Sequence, residues 1–240
     1  MHLYGFHPVR ERLRHRPQTV AEVLLARRSG ARRGGARGRE IEDLCRRHGV
    51  VLKEVNEAEL SALVGAGSGT HNGIAAVVEE AAAAVSGGVD TELQLLVEDV
   101  QDPRNLGALL RVCEGAGVGR VLVRDRGSAP LSAAAARTAA GAADFLDLER
   151  ITNSAQAIEG LKKEGFWVYG AAAEGQAPWD LDLTGKVLLC VGGEEKGLRA
   201  RTRKLCDALV GLPMRGRVAS LNLATAASAL LYEAVRQRTR

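Results

Sequence analysis

Beyond residue 92 the sequence alternates between short apolar runs, of the length of a β-strand, and longer segments with helical spacing. The predicted strands are 93–98, 121–123, 166–169 and 187–191, and the predicted helices are 105–116, 131–140, 154–164 and 220–236. The run at 187–191, Val-Leu-Leu-Cys-Val, contains no polar residue, which is typical of a strand buried on both faces. This alternation predicts an α/β fold in which helices cover a parallel sheet.

Residues 1–79 predict a smaller α/β domain. Its predicted strands are 20–26, 50–55 and 74–78, and its predicted helices are 41–47 and 57–64. Gly49 is suited to end the first helix, and Asn56 is suited to cap the second. An alanine run followed by Ser-Gly-Gly then has the composition of a linker. We therefore expect domains at 1–79 and 93–240, joined by a linker at 80–92.

Positive charge is concentrated in two places, although the whole chain has a net charge of only +4. Residues 1–53 contain 13 Lys and Arg against 5 Asp and Glu, and they include an Arg/Gly segment at 27–38. The second cluster comprises Arg199, Arg201, Arg203, Lys204, Arg215 and Arg217. Such clusters favour contact with a nucleic-acid phosphate backbone, and a merely solvated surface is the alternative. Aromatic residues, at 3%, are too few to predict an RNA-stacking platform.

Several classes of protein are excluded by what the sequence lacks. No apolar run approaches the length of a membrane span, and the first residues do not have the pattern of a signal peptide. The four cysteines form no CxxC pair, so they predict neither a zinc site nor a disulfide framework. We therefore expect a cytoplasmic protein with no membrane partner and no bound metal.

Three short segments, each following a predicted strand, carry residues suited to chemistry. They are Asp-Pro-Arg-Asn-Leu-Gly-Ala-Leu-Leu-Arg at 102–111, Val-Gly-Gly-Glu-Glu-Lys-Gly-Leu at 191–198 and Leu-Pro-Met-Arg-Gly-Arg-Val-Ala-Ser-Leu-Asn-Leu-Ala at 212–224. In open parallel sheets, ligands bind outside the carboxyl ends of the strands. All three segments are therefore predicted to lie where a ligand binds.

In their order and spacing these segments resemble the SpoU (TrmH-type) branch of the knotted SPOUT methyltransferases. Residues 4–9, Tyr-Gly-Phe-His-Pro-Val, and 71–74, His-Asn-Gly-Ile, are similar to the beginning and end of that family's L30e-like RNA-binding domain. The resemblance implies a deep trefoil knot in the C-terminal domain, a homodimer and S-adenosylmethionine as the cofactor. It also implies methylation of a guanosine ribose 2′-OH in 23S ribosomal RNA.

The resemblance implies that five residues hold the cofactor: Gly192, Gly193, Leu212, Met214 and Leu221. Glycine at 192 and 193 would let the backbone approach a bound ligand closely, because no side chain intervenes. A tight turn is the alternative explanation for these two glycines.

The resemblance implies catalytic roles for Asn105, Arg111, Glu194, Ser220 and Asn222. We expect Glu194 to accept hydrogen bonds from the substrate or from Asn105. Arg111 has apolar neighbours that favour partial burial, and the resemblance places it at the ribose 2′-OH and its phosphate. Since the reference pKa of arginine exceeds about 12, Arg111 is better suited to stabilise a developing alkoxide than to remove a proton. Asn105 and Ser220 are also suited to cap the helices that follow them.

Two other functions stay open at this point. One is the same chemistry on tRNA, and the other is a non-catalytic RNA-binding protein, which the five intact candidate residues argue against. The last predicted helix also has an apolar face that packs either on a second copy of the chain or within it. This face comprises Leu223, Ala226, Ala227, Leu230 and Leu231.

Overall fold

A computed structural model describes residues 2–27, 36–64, 71–78, 90–194, 196–218 and 220–239. In chain order its elements are β1 (His2–Tyr4), α1 (Phe6–His15), β2 (Val20–Arg27), α2 (Ala36–His48), β3 (Val51–Asn56), α3 (Glu57–Val64), β4 (Ile74–Val78), β5 (Asp90–Val97), α4 (Pro103–Gly115), β6 (Val118–Arg124), α5 (Ala133–Ala139), β7 (Asp147–Ile151), α6 (Ser154–Lys163), β8 (Trp167–Gln176), β9 (Val187–Val191), α7 (Ala200–Leu205), β10 (Ala208–Val210) and α8 (Leu223–Arg238).

The chain forms two compact units. The first comprises Met1–Ala82 with Leu131–Asp144, and the second comprises Ala83–Pro130 with Phe145–Arg240. Most of the predicted linker and most of the Arg/Gly segment lie outside the described residues, and β5 begins at Asp90, before the predicted end of the linker. The predicted domain boundaries stay a prediction.

The first unit contains a four-stranded sheet in the order β1-β4-β2-β3. Strand β4 runs antiparallel to β1 and β2, whereas β2 and β3 are parallel. The two predicted helix signals are present. Gly49 has φ 68°, and Val50 N donates to Cys45 O (3.0 Å), which ends α2. Asn56 Oδ1 accepts from Glu59 N (2.8 Å) and Glu59 Oε2 accepts from Asn56 N (2.9 Å), which starts α3.

Helix α5 belongs to the first unit, although it follows β6 of the second unit in sequence. Ala136 packs in the same core cluster as Val9 and Leu13. Just after α5, Asp144 forms an ion pair with Arg12 at 2.5 Å, and the two side chains are only 5% and 10% exposed. The local sequence of this alanine-rich helix does not indicate that it packs in the first unit and not in the second.

The second unit contains a six-stranded sheet in the order β10-β8-β9-β5-β6-β7, and every described neighbouring pair is parallel. The prediction of a parallel sheet is therefore confirmed. Every residue of β9 is buried, as its apolar sequence predicted. Strands β7 and β10 and helix α7 were not predicted, because they are short or carry several charged residues. The trefoil knot stays an expectation of the resemblance.

Two predicted helix starts are wrong. Helix α4 is capped by Asp102, whose Oδ1 accepts from Arg104 N (2.8 Å), so Asn105 lies inside the first turn. Helix α8 is capped by Asn222 and not by Ser220. The apolar face of α8 is part of the unit's own core, since Leu223, Ala227, Leu230 and Leu231 are buried and α8 packs on α4. Within the described part of the chain, no helix is long and apolar enough to cross a membrane.

Candidate active site

A chain of hydrogen-bonded side chains joins the three sequence segments at one place in the second unit. Asn222 Nδ2 donates to Asn105 Oδ1 at 3.1 Å, and Asn105 Nδ2 donates to Glu194 Oε1. These residues come from the start of α8, the first turn of α4 and the loop after β9. The structure therefore brings together three of the five predicted catalytic residues, and the predicted contact between Glu194 and Asn105 is present.

The direction of these hydrogen bonds is set by the N-terminus of α8. Asn222 Oδ1 accepts from Ala224 N (2.9 Å) and Thr225 N (3.4 Å), so its amide nitrogen faces Asn105. Asn105 then presents its own amide nitrogen to Glu194. Each amide donates to the next group, and the last acceptor is a carboxylate, which makes that final bond charge-assisted. The arrangement orients the Glu194 side chain.

The loop that carries Glu194 is closed on itself. Gly197 N donates to Gly193 O (2.9 Å), and the two glycines form a short antiparallel bridge. A Cβ atom added at Gly192 would lie 2.0 Å from the Gly197 carbonyl carbon, which no real structure tolerates. The space beside Gly192 is thus filled by the backbone of Gly197 and Leu198, so the closed loop itself requires glycine there. A role of Gly192 and Gly193 in cofactor binding stays a prediction.

The segment between β10 and α8 presents apolar side chains to solvent. Met214 is 37% exposed and Leu221 42% exposed, and Val218 is more exposed still, whereas Leu212 is half-buried. Apolar side chains on a loop at this edge of a parallel sheet suit the flat, largely apolar face of an adenine ring. The predicted cofactor residues therefore fit S-adenosylmethionine in chemical character.

Arg111 and Ser220 lie apart from this hydrogen-bonded chain. Arg111 is exposed, so the prediction that it is partly buried is wrong. At six residues beyond Asn105 on the same helix, it points about 120° away around the helix axis. Ser220 is also exposed, and among the described residues neither side chain forms a hydrogen bond or an ion pair. Their catalytic roles stay predictions.

Two acidic residues directly after β5 were not identified from the sequence. Glu98 is fully buried, and Asp99 is a non-glycine residue at φ 54°. A pair of carboxylates that follows a buried strand at the ligand-binding edge of a sheet is the signal that would have found them. Across the ranges that the structure describes, no group of three or more His, Cys, Asp or Glu is arranged to hold a metal ion.

Comparison with known proteins identifies two families in the sequence. Residues 92–232 match the SpoU rRNA Methylase family, and residues 2–84 match the RNA 2'-O ribose methyltransferase substrate binding family. A 23S rRNA (guanosine-2'-O-)-methyltransferase RlmB of Xanthomonas axonopodis pv. citri is 38% identical, with 98% of this chain and 96% of the relative covered. The RlmB of Pseudomonas aeruginosa is 37% identical, with 99% and 96% covered.

Solved structures give the same result. The SpoU methyltransferase AviRb from Streptomyces viridochromogenes, in complex with the cofactor AdoMet, is 25% identical with a TM-score of 0.82, and the match covers 100% of this chain and 90% of that one. The A. aeolicus TrmH/SpoU tRNA modifying enzyme is 26% identical with a TM-score of 0.57, covering 63% of this chain and 77% of its own. From the family match, the near full-length relatives and the shared fold, the chain belongs to the SpoU rRNA Methylase family.

Proposed function

We propose that this protein transfers a methyl group from S-adenosylmethionine to the ribose 2′-OH of a guanosine in 23S ribosomal RNA. The observation that carries the proposal is the hydrogen-bonded chain Asn222–Asn105–Glu194, which joins the three segments that resemble the family. Relatives of 36–39% identity over nearly the whole chain, each named as a 23S rRNA guanosine methyltransferase, support this substrate.

The cofactor, when bound, supplies a sulfonium methyl group whose carbon accepts a nucleophile. Gly192, Gly193, Leu212, Met214 and Leu221 would hold it, with the apolar side chains against its adenine. Exposure of Met214 and Leu221 leaves these side chains accessible to such a ligand.

The remaining residues act on the RNA. The Glu194 carboxylate, held by Asn105, accepts a hydrogen bond from the ribose or the base and fixes the direction of the 2′-OH. The Arg111 guanidinium, which is protonated at neutral pH, stabilises negative charge as it develops on the 2′ oxygen and binds the adjacent phosphate. Ser220 lies two residues before Asn222 and faces the same ribose.

A homodimer is part of the proposal. Arg111 lies away from Asn105 and Glu194 within one chain, and a second copy would let it approach a neighbouring site. The apolar face of α8 is used inside the chain, so the dimer contact would involve other surfaces. Tyr232, which is 49% exposed on α8, and Val218, which is 68% exposed, are the candidates. The substrate-binding domain at 1–79 would select the RNA, in the cytoplasm, without a metal.

The test is to map 2′-O-methylated nucleotides in total RNA from cells with and without the gene. The proposal predicts the loss of one guanosine methylation in 23S rRNA and its return when the wild-type gene is restored. Loss of a tRNA methylation instead would favour the tRNA alternative. An unchanged map, together with purified protein that binds RNA but transfers no methyl group, would favour the non-catalytic alternative.

One variant tests whether Glu194 takes part in catalysis or whether the protein has only the fold of a methyltransferase. Glu194→Gln keeps the size of the side chain and removes the charge that Asn105 donates to, so it should fail to restore the methylation. Glu164→Gln is the matched control, because Glu164 is an exposed glutamate at the end of α6. It should restore the methylation fully.

A further inference from the structure

Asp99 adopts a backbone conformation that a residue with a side chain normally avoids. Its φ of 54° lies in the left-handed region, which is unfavourable for an ordinary L-residue and less so for Asp. Such conformations persist where the surrounding contacts hold them, and they cluster at functional sites. The contacts of Asp99 therefore indicate what this position does.

The Asp99 carboxylate is bound by two arginines. Arg199 donates to it twice, from Nε to Oδ2 (2.8 Å) and from Nη2 to Oδ1 (3.0 Å), and Arg124 Nη1 also donates to Oδ1 (3.2 Å). The paired geometry with Arg199 fixes direction as well as distance. Gly127, at φ 100°, leaves room for this carboxylate, because a Cβ there would lie 2.2 Å from Asp99 Oδ1.

The neighbouring carboxylate holds the same segment by its backbone. Glu98 is fully buried, and its Oε2 accepts from the Arg199 backbone N–H (3.2 Å) while its Oε1 accepts from Thr202 Oγ1 (2.8 Å). Arg199 is thus bound through its main chain by Glu98 and through its side chain by Asp99. Together they fix the chain immediately after the loop that carries Glu194.

The other end of that loop rests on Asp99 as well. A Cβ at Gly193 would lie 2.8 Å from the Asp99 carbonyl oxygen, so the two backbones are in direct contact. Gly193 then pairs with Gly197 to close the loop. Asp99 therefore holds both ends of the loop that carries Glu194. It contacts the backbone of Gly193 at one end, and it binds Arg199, just beyond Gly197, at the other.

We propose that Asp99 and Arg199 are positioning residues that hold the loop 193–197 so that Glu194 meets Asn105. This rests on the proposed function, because it assigns them to the same methyl-transfer site. Neither acts on the RNA or the cofactor directly. The Arg199 side chain is 49% exposed, so contact with an RNA phosphate is the competing role.

The experiment compares kcat and KM for methyl transfer to RNA in three full-length variants. Asp99→Asn keeps the size and the tolerance of positive φ but loses the charge, Arg199→Gln loses the partner, and the third variant carries both changes. We expect each single change to lower kcat on the order of ten- to a hundredfold while leaving KM for RNA within about twofold, as for a misplaced catalytic group. The double variant should be no worse than either single one.

A different pattern would overturn the proposal. If Arg199→Gln raises KM for RNA and weakens its salt dependence with kcat intact, Arg199 is a phosphate contact. If the two single effects multiply in the double variant, the residues do not act through each other.

Asp99→Gly separates backbone strain from positioning. Glycine adopts this φ without strain, but the variant lacks the carboxylate that Arg199 and Arg124 donate to, so it should lose the same kcat as Asp99→Asn although its backbone is relaxed. Full activity of Asp99→Gly would show that the carboxylate is not needed and would contradict the proposal.

A measurement without RNA keeps this test separate from the proposed function. In Asp99→Asn the amide hydrogens of the peptide that covers 192–198 should exchange faster than in wild type, while those of β6 stay unchanged. If that exchange is unchanged, Asp99 does not hold the loop, whatever the enzyme methylates. If exchange rises but wild-type protein methylates no RNA, the positioning is supported and only the proposed function fails.

Discussion

Asn222 and Asn105 are 117 positions apart in the chain, yet Asn222 Nδ2 donates to Asn105 Oδ1 at 3.1 Å. The same Asn222 caps α8 through its Oδ1. One side chain therefore serves the start of a helix and the site at once. This double use lets the two roles be separated by mutation.

Asn222→Asp should retain the cap and lose the site contact. Aspartate is as good an N-cap as asparagine, but its carboxylate cannot donate to Asn105. We expect stability near wild type and methyl transfer reduced on the order of tenfold or more. Asn222→Ala removes both roles and should also lose about 1 kcal/mol of unfolding free energy. Thermal denaturation and a radioactive methyl-transfer assay measure the two effects, and wild-type activity in Asn222→Asp would contradict the role in the site.

Arg111→Ala should greatly slow methyl transfer without harming the fold. Arg111 is exposed, so we expect a stability change within about 0.5 kcal/mol. Its proposed partners are the ribose and phosphate, so calorimetry should find cofactor affinity unchanged while kcat falls on the order of a hundredfold. Arg111→Lys keeps the charge but not the planar group and should recover only part of the activity. Full activity of the alanine variant would remove Arg111 from the site.

Gly192→Ala should destabilise the protein and weaken cofactor binding together. Its Cβ would overlap the backbone of Gly197, so the loop must shift, and overpacking of this kind costs about 1–3 kcal/mol. Gly160→Ala is the matched control, because Gly160 lies in α6 and a Cβ added there would have no contact within 4 Å. That change should raise stability by about 0.5–1 kcal/mol and leave binding unchanged. An unchanged melting temperature in Gly192→Ala would contradict the overlap.

Cys206 should be the most reactive thiol at neutral pH. A hydrogen bond from the Cys190 thiol lowers the pKa of Cys206, whereas that contact and burial raise the pKa of Cys190. Burial raises the pKa of Cys45 to about 11, and burial also raises that of Cys113. A lower pKa gives more thiolate at a given pH, so iodoacetamide should modify Cys206 first.

The control variants for this prediction change Cys190, the residue that donates the hydrogen bond to Cys206. Cys190→Ala removes it and should move the pH midpoint of Cys206 alkylation upward, while Cys190→Ser supplies a hydroxyl donor and should move it back. Mass spectrometry of the modified peptides gives both midpoints. Equal midpoints in wild type and Cys190→Ala would show that the thiol pair does not set the reactivity.

A chain that begins near Thr91 should fold poorly. It would keep α5 and Asp144 but lose α1, whose Arg12 pairs with Asp144 and whose Val9 packs with Ala136. Removing α1 exposes the apolar face of α5 to solvent, so we expect this truncated protein to bind a dye for exposed apolar surface. In the full chain, Arg12→Met leaves Asp144 buried without its partner, which should cost about 3–5 kcal/mol of unfolding free energy. A soluble, cooperatively unfolding truncated protein would show that α5 does not need the first unit.

Local patterns in the sequence determined many of the helices and strands of this protein, although not the short or highly charged ones. The unbroken apolar run at 187–191 became a fully buried strand, and Asn56 with Glu59 formed a capping box, because each depends only on residues close in the chain. The alternation of strands and helices predicted the parallel sheet for the same reason. The order and spacing of the three motifs indicated the family. Both are properties of the sequence and can be read without knowing which residues meet in the folded protein.

Only the tertiary structure decided which residues meet. Helix α5 is placed in the first unit by apolar contacts and a buried ion pair with residues about 130 positions away, which no local pattern encodes. Gly192 is required by the backbone of Gly197, a clash that exists only in the closed loop. Asp99 holds a strained backbone because an arginine 100 positions later binds its carboxylate. These relationships depend on distances in space, and the spacing of residues along the chain does not contain them.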